Sequence, residues 1–139
     1  MPRAETMRWA SAISELPDPA AAGEEVAEAG WGVLGGDPDL AFLFCSDPYA
    51  PGILDLSERL RATLGDGVLL GCTARSVIGA GHEMEGRPAV SLTAARLPHV
   101  TVRPIRVAGE GFPQGAEAWC EAFDIDPAAR PDGPDTIEL

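Results

Sequence analysis

Short apolar runs separated by segments of helical length constrain this chain more than any other feature. Met7–Ser14 (MRWASAIS) and Leu40–Cys45 (LAFLFC) have the length of strands, and a third run covers Val68–Cys72. After the first run, Asp18 can cap a helix whose first position is Pro19. Ala22, Val26, Ala29 and Val33 recur at helical spacing and predict one apolar face, with Glu24 and Glu28 opposite and Glu25 on the flank. Gly23, Gly30 and Gly32 count against that helix, since an interior glycine costs about 1 kcal/mol relative to alanine; Gly35-Gly36 ends it. After the second run, Pro51–Leu64 puts Ile53, Leu56, Leu60 and Leu64 on one face. Asp55 and Arg59 form an i, i+4 pair on its exposed side, and Gly65 is a natural stop. This β-α-β-α-β order predicts parallel strands joined by crossovers.

The unbroken run Leu40–Cys45 suits a central strand buried on both faces. Further on the pattern changes. Ala89–Leu97 and Val100–Val107 are both strand-like, and only Pro98-His99 separates them. That gap is too short for a helical crossover and predicts an antiparallel hairpin, with Pro104 marking its outer arm as an edge. The expected fold is therefore α/β: a mixed sheet with a parallel β-α-β-α-β part plus an antiparallel hairpin, helices packed on the sheet. A last helix near Gln114–Phe123 carries Trp119, Cys120 and Phe123. One domain over residues 1–123 is expected, followed by a loose Pro/Asp-rich tail at 124–139.

Charge narrows the partners. The net charge is −12, there is no lysine, and the ten arginines form no basic run. Nucleic acid and anionic membrane both need clustered positive charge, so neither is an expected partner. No stretch approaches the roughly 18 apolar residues of a membrane span, and the first residues lack a signal-peptide core. A cytoplasmic location is the expectation. Three cysteines, an odd number, read as reduced thiols, and without CxxC or HxxxH spacing no metal or other cofactor is expected.

The candidate site lies in Leu69–Leu92, where an apolar strand runs into small and hydroxyl-bearing residues. Strand ends of that kind build ligand crevices in α/β proteins, because backbone N–H groups there can approach a bound molecule. Cys72, Thr73, Ala74 and Arg75 end the third strand, and Ser46 ends the second; together they are the expected ligand contacts. Arg75 could clamp a carboxylate with two parallel hydrogen bonds, or it could be an ordinary surface arginine. Cys72 could line the crevice or fill the core. Tyr49 could add a hydroxyl. Cys72 with His82 as its base would make a thiol enzyme, but no partner acid stands at a telling position. Glu83 and Glu85 share a face of an extended segment and read as a solvated edge.

The wording of these segments also resembles a known family. WASAIS at Trp9–Ser14, PDLAFLFCS at Pro38–Ser46, GCTARSVIGAGHE at Gly71–Glu83 and PAVSLTAARLP at Pro88–Pro98 look like the N-terminal region of the FIST domain, a sensory domain of signal-transduction proteins. The resemblance implies a non-enzymatic, small-ligand-binding sensory module, with amino acids as the suggested ligands. It also implies a partner, either a signalling output protein or the C-terminal FIST region that normally follows; the chain reads as a truncated or short member. Some members bind haem and respond to nitric oxide. A haem-based nitric oxide sensor is the alternative reading, with His82 and His99 as candidate axial ligands.

Overall fold

A computed structural model describes residues 6–107 and 112–126 of the chain. Helix α1 (Pro19–Leu34) starts as expected: the Asp18 carboxylate accepts the Ala21 N–H at 2.8 Å, and Pro19 opens the first turn. It stops at Gly35, which adopts the left-handed conformation. Its buried stripe is Ala22, Gly23, Val26, Ala27, Gly30 and Leu34. Ala29 and Val33 are exposed instead, so the predicted face holds at Ala22 and Val26 and drifts off further along. The glycines belong to the stripe. A Cβ on Gly23 would lie 2.1 Å from Cδ1 of Leu56, which is why α2 (Ile53–Thr63) can lie so close. On α2, Leu56 and Leu60 are buried, as is Leu64 just beyond it, and Ile53 packs against the core. The Arg59–Asp55 pair forms at 2.9 Å on the exposed side. Trp31 Nε1 donates to the Thr63 carbonyl at 3.2 Å and ties the two helices together.

Three strands occupy the expected runs: β1 (Arg8–Ser14), β2 (Leu40–Ser46) and β3 (Val68–Ala74). Beyond them come β4 (Ser76–Gly79), β5 (His82–Glu85) and β6 (Val90–Arg96). The main sheet has the order β1-β6-β2-β3, with β2 and β3 parallel and β6 antiparallel to both its neighbours. Ala10, Ala12, Ala41, Leu43, Cys45, Val90, Leu92 and Ala94 form the core with the buried stripes of α1 and α2. The fold class is thus the expected one, a mixed α/β sheet with helices packed on it, and Leu40–Ser46 lies inside the sheet.

Two details differ from expectation. β1 does not sit beside β2, because β6 fills the slot between them. A helix is about 10 Å wide and adjacent strands are about 4.8 Å apart, so the α1 crossover spans two strand spacings with ease. Residues 100–107 form no strand. With β1 on one side and β2 on the other, β6 has no free edge for a hairpin arm, and Pro104 has no N–H to contribute. The antiparallel hairpin is built instead by β4 and β5, turned at Ala80-Gly81, both with positive φ. It packs on the sheet face away from the helices: the Ala80 N–H donates to Ser11 Oγ at 2.9 Å, and Val77 is buried.

The chain divides into two compact units, Met1–Arg103 and Pro104–Leu139. The second contains α3 (Ala116–Phe123), two residues shorter at its start than the segment expected from Gln114. Its Trp119 ring meets Phe112 edge-on at 5.6 Å and Phe123 at 4.9 Å. The tail expected from residue 124 lies, after residue 126, outside the described residues. Among the described residues, no helix is long and apolar enough to cross a membrane.

Candidate functional site

Alternation along β2 and β3 sorts the candidate residues. In the parallel register Phe44 lies opposite Cys72, Cys45 opposite Thr73, and Ser46 opposite Ala74. Side chains at matched positions share a face. Cys45 therefore points into the helix-covered core, where burial pushes its thiol pKa up, with Cys72 and Asp47 adding to the effect. Cys72 stands on the other face and is exposed. Thr73 and Arg75 are exposed, and Ala74 is half-buried.

Ser46 has a different setting. It is buried, its Oγ accepts the Ala89 N–H at 2.8 Å, and its own N–H donates to the Ala89 carbonyl at 2.9 Å. The end of β2 is thereby fastened to the start of β6. Tyr49 is also buried, and its hydroxyl donates to the Leu16 carbonyl. Burial raises the Tyr49 pKa, helped by Asp18, Cys45 and Glu15. The Ser46 and Tyr49 hydroxyls are thus both engaged with backbone.

An open cleft of about 470 Å³ lies where β3 turns into β4, lined by Arg75, Ser76, Glu85 and Gly86. The hairpin register sets Glu85 opposite Ser76, the residue that follows Arg75. One guanidinium and one carboxylate line the same space, and among the described residues neither is in an ion pair. Of the residues singled out in the sequence, Arg75 lines this cleft, Thr73 and Ala74 lead into it along β3, and Cys72 lies one step further back. Ser76 was not among them, and Glu85 was read as part of a solvated edge rather than as a site residue. The signal that could have found them is Gly79-Ala80-Gly81 between SVIG and HEME, a tight turn between two short extended segments.

Two other concavities flank the sheet. A largely apolar groove of about 270 Å³ runs between α2 and β3, with Ile53, Leu54, Leu69 and Leu70 in its walls and Arg61 at its polar end. At the opposite ends of β2 and β3, Asp37, Asp39 and Asp66 share a polar hollow with Val68 and Val100, and the Asp39 carboxylate accepts the Leu97 N–H at 2.6 Å. His82 and His99 are both exposed, His99 in the left-handed conformation. Among the described residues no group of His, Cys, Asp or Glu is arranged to hold a metal ion.

The FIST N domain profile matches residues 39–126, well over half of the chain. Two curated relatives, the uncharacterized proteins MT0656 and Rv0628c from two strains of Mycobacterium tuberculosis, are each 34% identical over 93 residues, covering 66% of this chain. The chain spans only 24% of the length of either relative. No solved structure matches it.

Proposed function

Because the chain belongs to the FIST N domain family, we propose that it is a non-enzymatic, small-ligand-binding sensory module whose ligand is an amino acid. The observation that carries this reading is the pairing of Arg75 and Glu85 along one cleft without an ion pair between them. An amino acid at neutral pH carries a carboxylate and an ammonium a few bonds apart. Arg75 offers the first a forked, two-bond partner, and Glu85 offers the second an acceptor. Ser76 and Gly86 add a hydroxyl and a backbone close to both. The volume of about 470 Å³ is in the range of small-molecule sites.

Thermal shift against the common amino acids tests the proposal, because a ligand that binds only the folded chain raises its stability by mass action. The amino acid that shifts the melt should be followed by calorimetry. Arg75→Ala should weaken binding by about 1.5–3 kcal/mol, roughly ten- to a hundredfold. Arg75→Lys should restore only part of it, and Glu85→Gln should cost a similar amount. The analogue lacking the amino group should be insensitive to Glu85→Gln, and the one lacking the carboxylate insensitive to Arg75→Ala. Since both side chains are exposed, none of these changes should move folding stability by more than about 0.5 kcal/mol. Binding that survives both substitutions, or no shift with any amino acid, refutes the reading.

A further inference from the structure

Among the described residues, β3 is an outer strand of the main sheet, and its own sequence carries none of the usual edge protection. β3 is last in the order β1-β6-β2-β3, and among the described residues no strand pairs with its far side. Its sequence, VLLGCTA, has no charge and no proline, and Leu70, Gly71, Cys72 and Thr73 are exposed along it. Exposed edges of this kind are normally blunted by lysine, proline or a bulge, because their unpaired backbone groups recruit other strands.

The direction of those groups can be read from the inner side. The Val68 N–H donates to the Asp39 carbonyl, so Val68, Leu70 and Cys72 turn their backbone groups toward β2. Leu69, Gly71 and Thr73 then turn theirs outward. These outward positions are symmetric about Gly71. In an antiparallel copy centred there, Gly71 meets Gly71 and Leu69 meets Thr73, each pair exchanging both of its hydrogen bonds. Leu70 falls opposite Cys72 of the second copy, with Cα atoms about 4.5 Å apart, the closer spacing of a non-hydrogen-bonded pair. The strand is also bracketed by opposite charges, Asp66 before it and Arg75 after it, so an antiparallel copy brings unlike signs together at both ends of the seam. Beside that seam on the helix side lies the groove walled by Leu54 and Leu70, which are 75% and 46% exposed. Pairing would shield this apolar margin from water.

We propose that β3 is a dimerisation edge: two copies of this chain pair antiparallel along Val68–Ala74, centred on Gly71, and join their sheets into one. A two-fold axis perpendicular to the sheet keeps both α2 helices on the same side, so the partner surface is the same patch on each copy. Arg75 also lines the ligand cleft, so the test leaves it unchanged and does not depend on the ligand.

The test is sedimentation of the full 139-residue chain over a concentration series. The expected species is a dimer of twice the 14.5 kDa chain mass. Thr73→Pro removes an outward N–H that the chain's own sheet does not use, so it should leave the circular dichroism intact and give monomer. Should that variant fail to fold, Asp66→Arg sets like charges at both seam ends and should weaken association severalfold. Leu70→Cys should form an intermolecular disulfide with Cys72 of the second copy under mild oxidation, identified by peptide mapping, and adding Cys72→Ala should abolish that crosslink. A parent chain that stays monomeric at every concentration overturns the proposal. So does a folded Thr73→Pro chain that still dimerises, or a crosslink absent from the mapped dimer.

Discussion

At the scale of single residues, the buried hydroxyls matter for folding. Ser46 was picked out as a ligand contact, yet its Oγ is the acceptor for the Ala89 N–H inside the core. Ser46→Ala leaves that N–H buried without a partner and should destabilise the fold by about 1–3 kcal/mol, read as a lowered urea midpoint. Tyr49 and Cys45 set the response to alkali. Both have pKa values raised by burial above their ordinary 10.0 and 9.0, so the folded state holds these protons more tightly than the unfolded chain. Their contribution is complete below about pH 9 and is lost as pH climbs through and beyond the unfolded values. Urea midpoints measured from about pH 8 to pH 11 should therefore fall. Tyr49→Phe should flatten that fall, while costing about 0.5–1.5 kcal/mol at neutral pH through the lost bond to the Leu16 carbonyl. The place of Arg75 on the cleft was legible because a strand end is where loops and concavities gather. Glu85 was not, because its neighbourhood depends on a cross-strand register that spacing alone does not fix. The bond from Ala89 to Ser46 was not legible, because a hydroxyl at a strand end looks the same whether it faces a ligand or a backbone amide.

At the scale of elements, α1 shows how the same residue type can act in opposite ways. Gly32 is exposed with nothing within 4 Å of an added Cβ, so Gly32→Ala should stabilise by about 0.5–1 kcal/mol through helix propensity. Gly23→Ala makes the same propensity gain but drives a methyl into Leu56, a side chain 1% exposed with no room to yield. Overpacking of about 1–3 kcal/mol should outweigh the gain, and the variant should melt lower than the parent. Thermal melts of the two variants side by side check both signs. The boundaries of α1 were readable because the Asp18-Pro19 start and the Gly35 stop are local signals. Its buried face was not, because a pattern that counts only apolar residues overlooks Gly23 and Gly30. The missing strand at residues 100–107 has a similar cause. Val100, Val102, Ile105 and Val107 fit a strand locally, but strand formation requires a vacant edge, and β6 has none.

At the scale of the whole molecule, the four strands of the main sheet were legible as strands, but their neighbours were not, and the β4–β5 hairpin was read only as a turn and an extended segment. The signal for a central β6 was present: Val90, Ser91 and Leu92 are all buried, as are Ala94 and Ala95, which marks a strand covered on both faces. Read alone, that run could equally have been the inner arm of a hairpin. Its true position has a consequence for the order of events in time. Among the described residues, β1 finds its one sheet partner some eighty residues later, Arg8 against Arg96. A ribosome therefore exposes β1, both helices and the β2–β3 pair before the strand that unites them has been made. Until Val90–Arg96 emerges, the alanines of β1 have no ladder to join and β2 presents an open flank. Folding of this unit must wait for nearly its last segment, and the unit is most in need of protection on the ribosome just before β6 emerges.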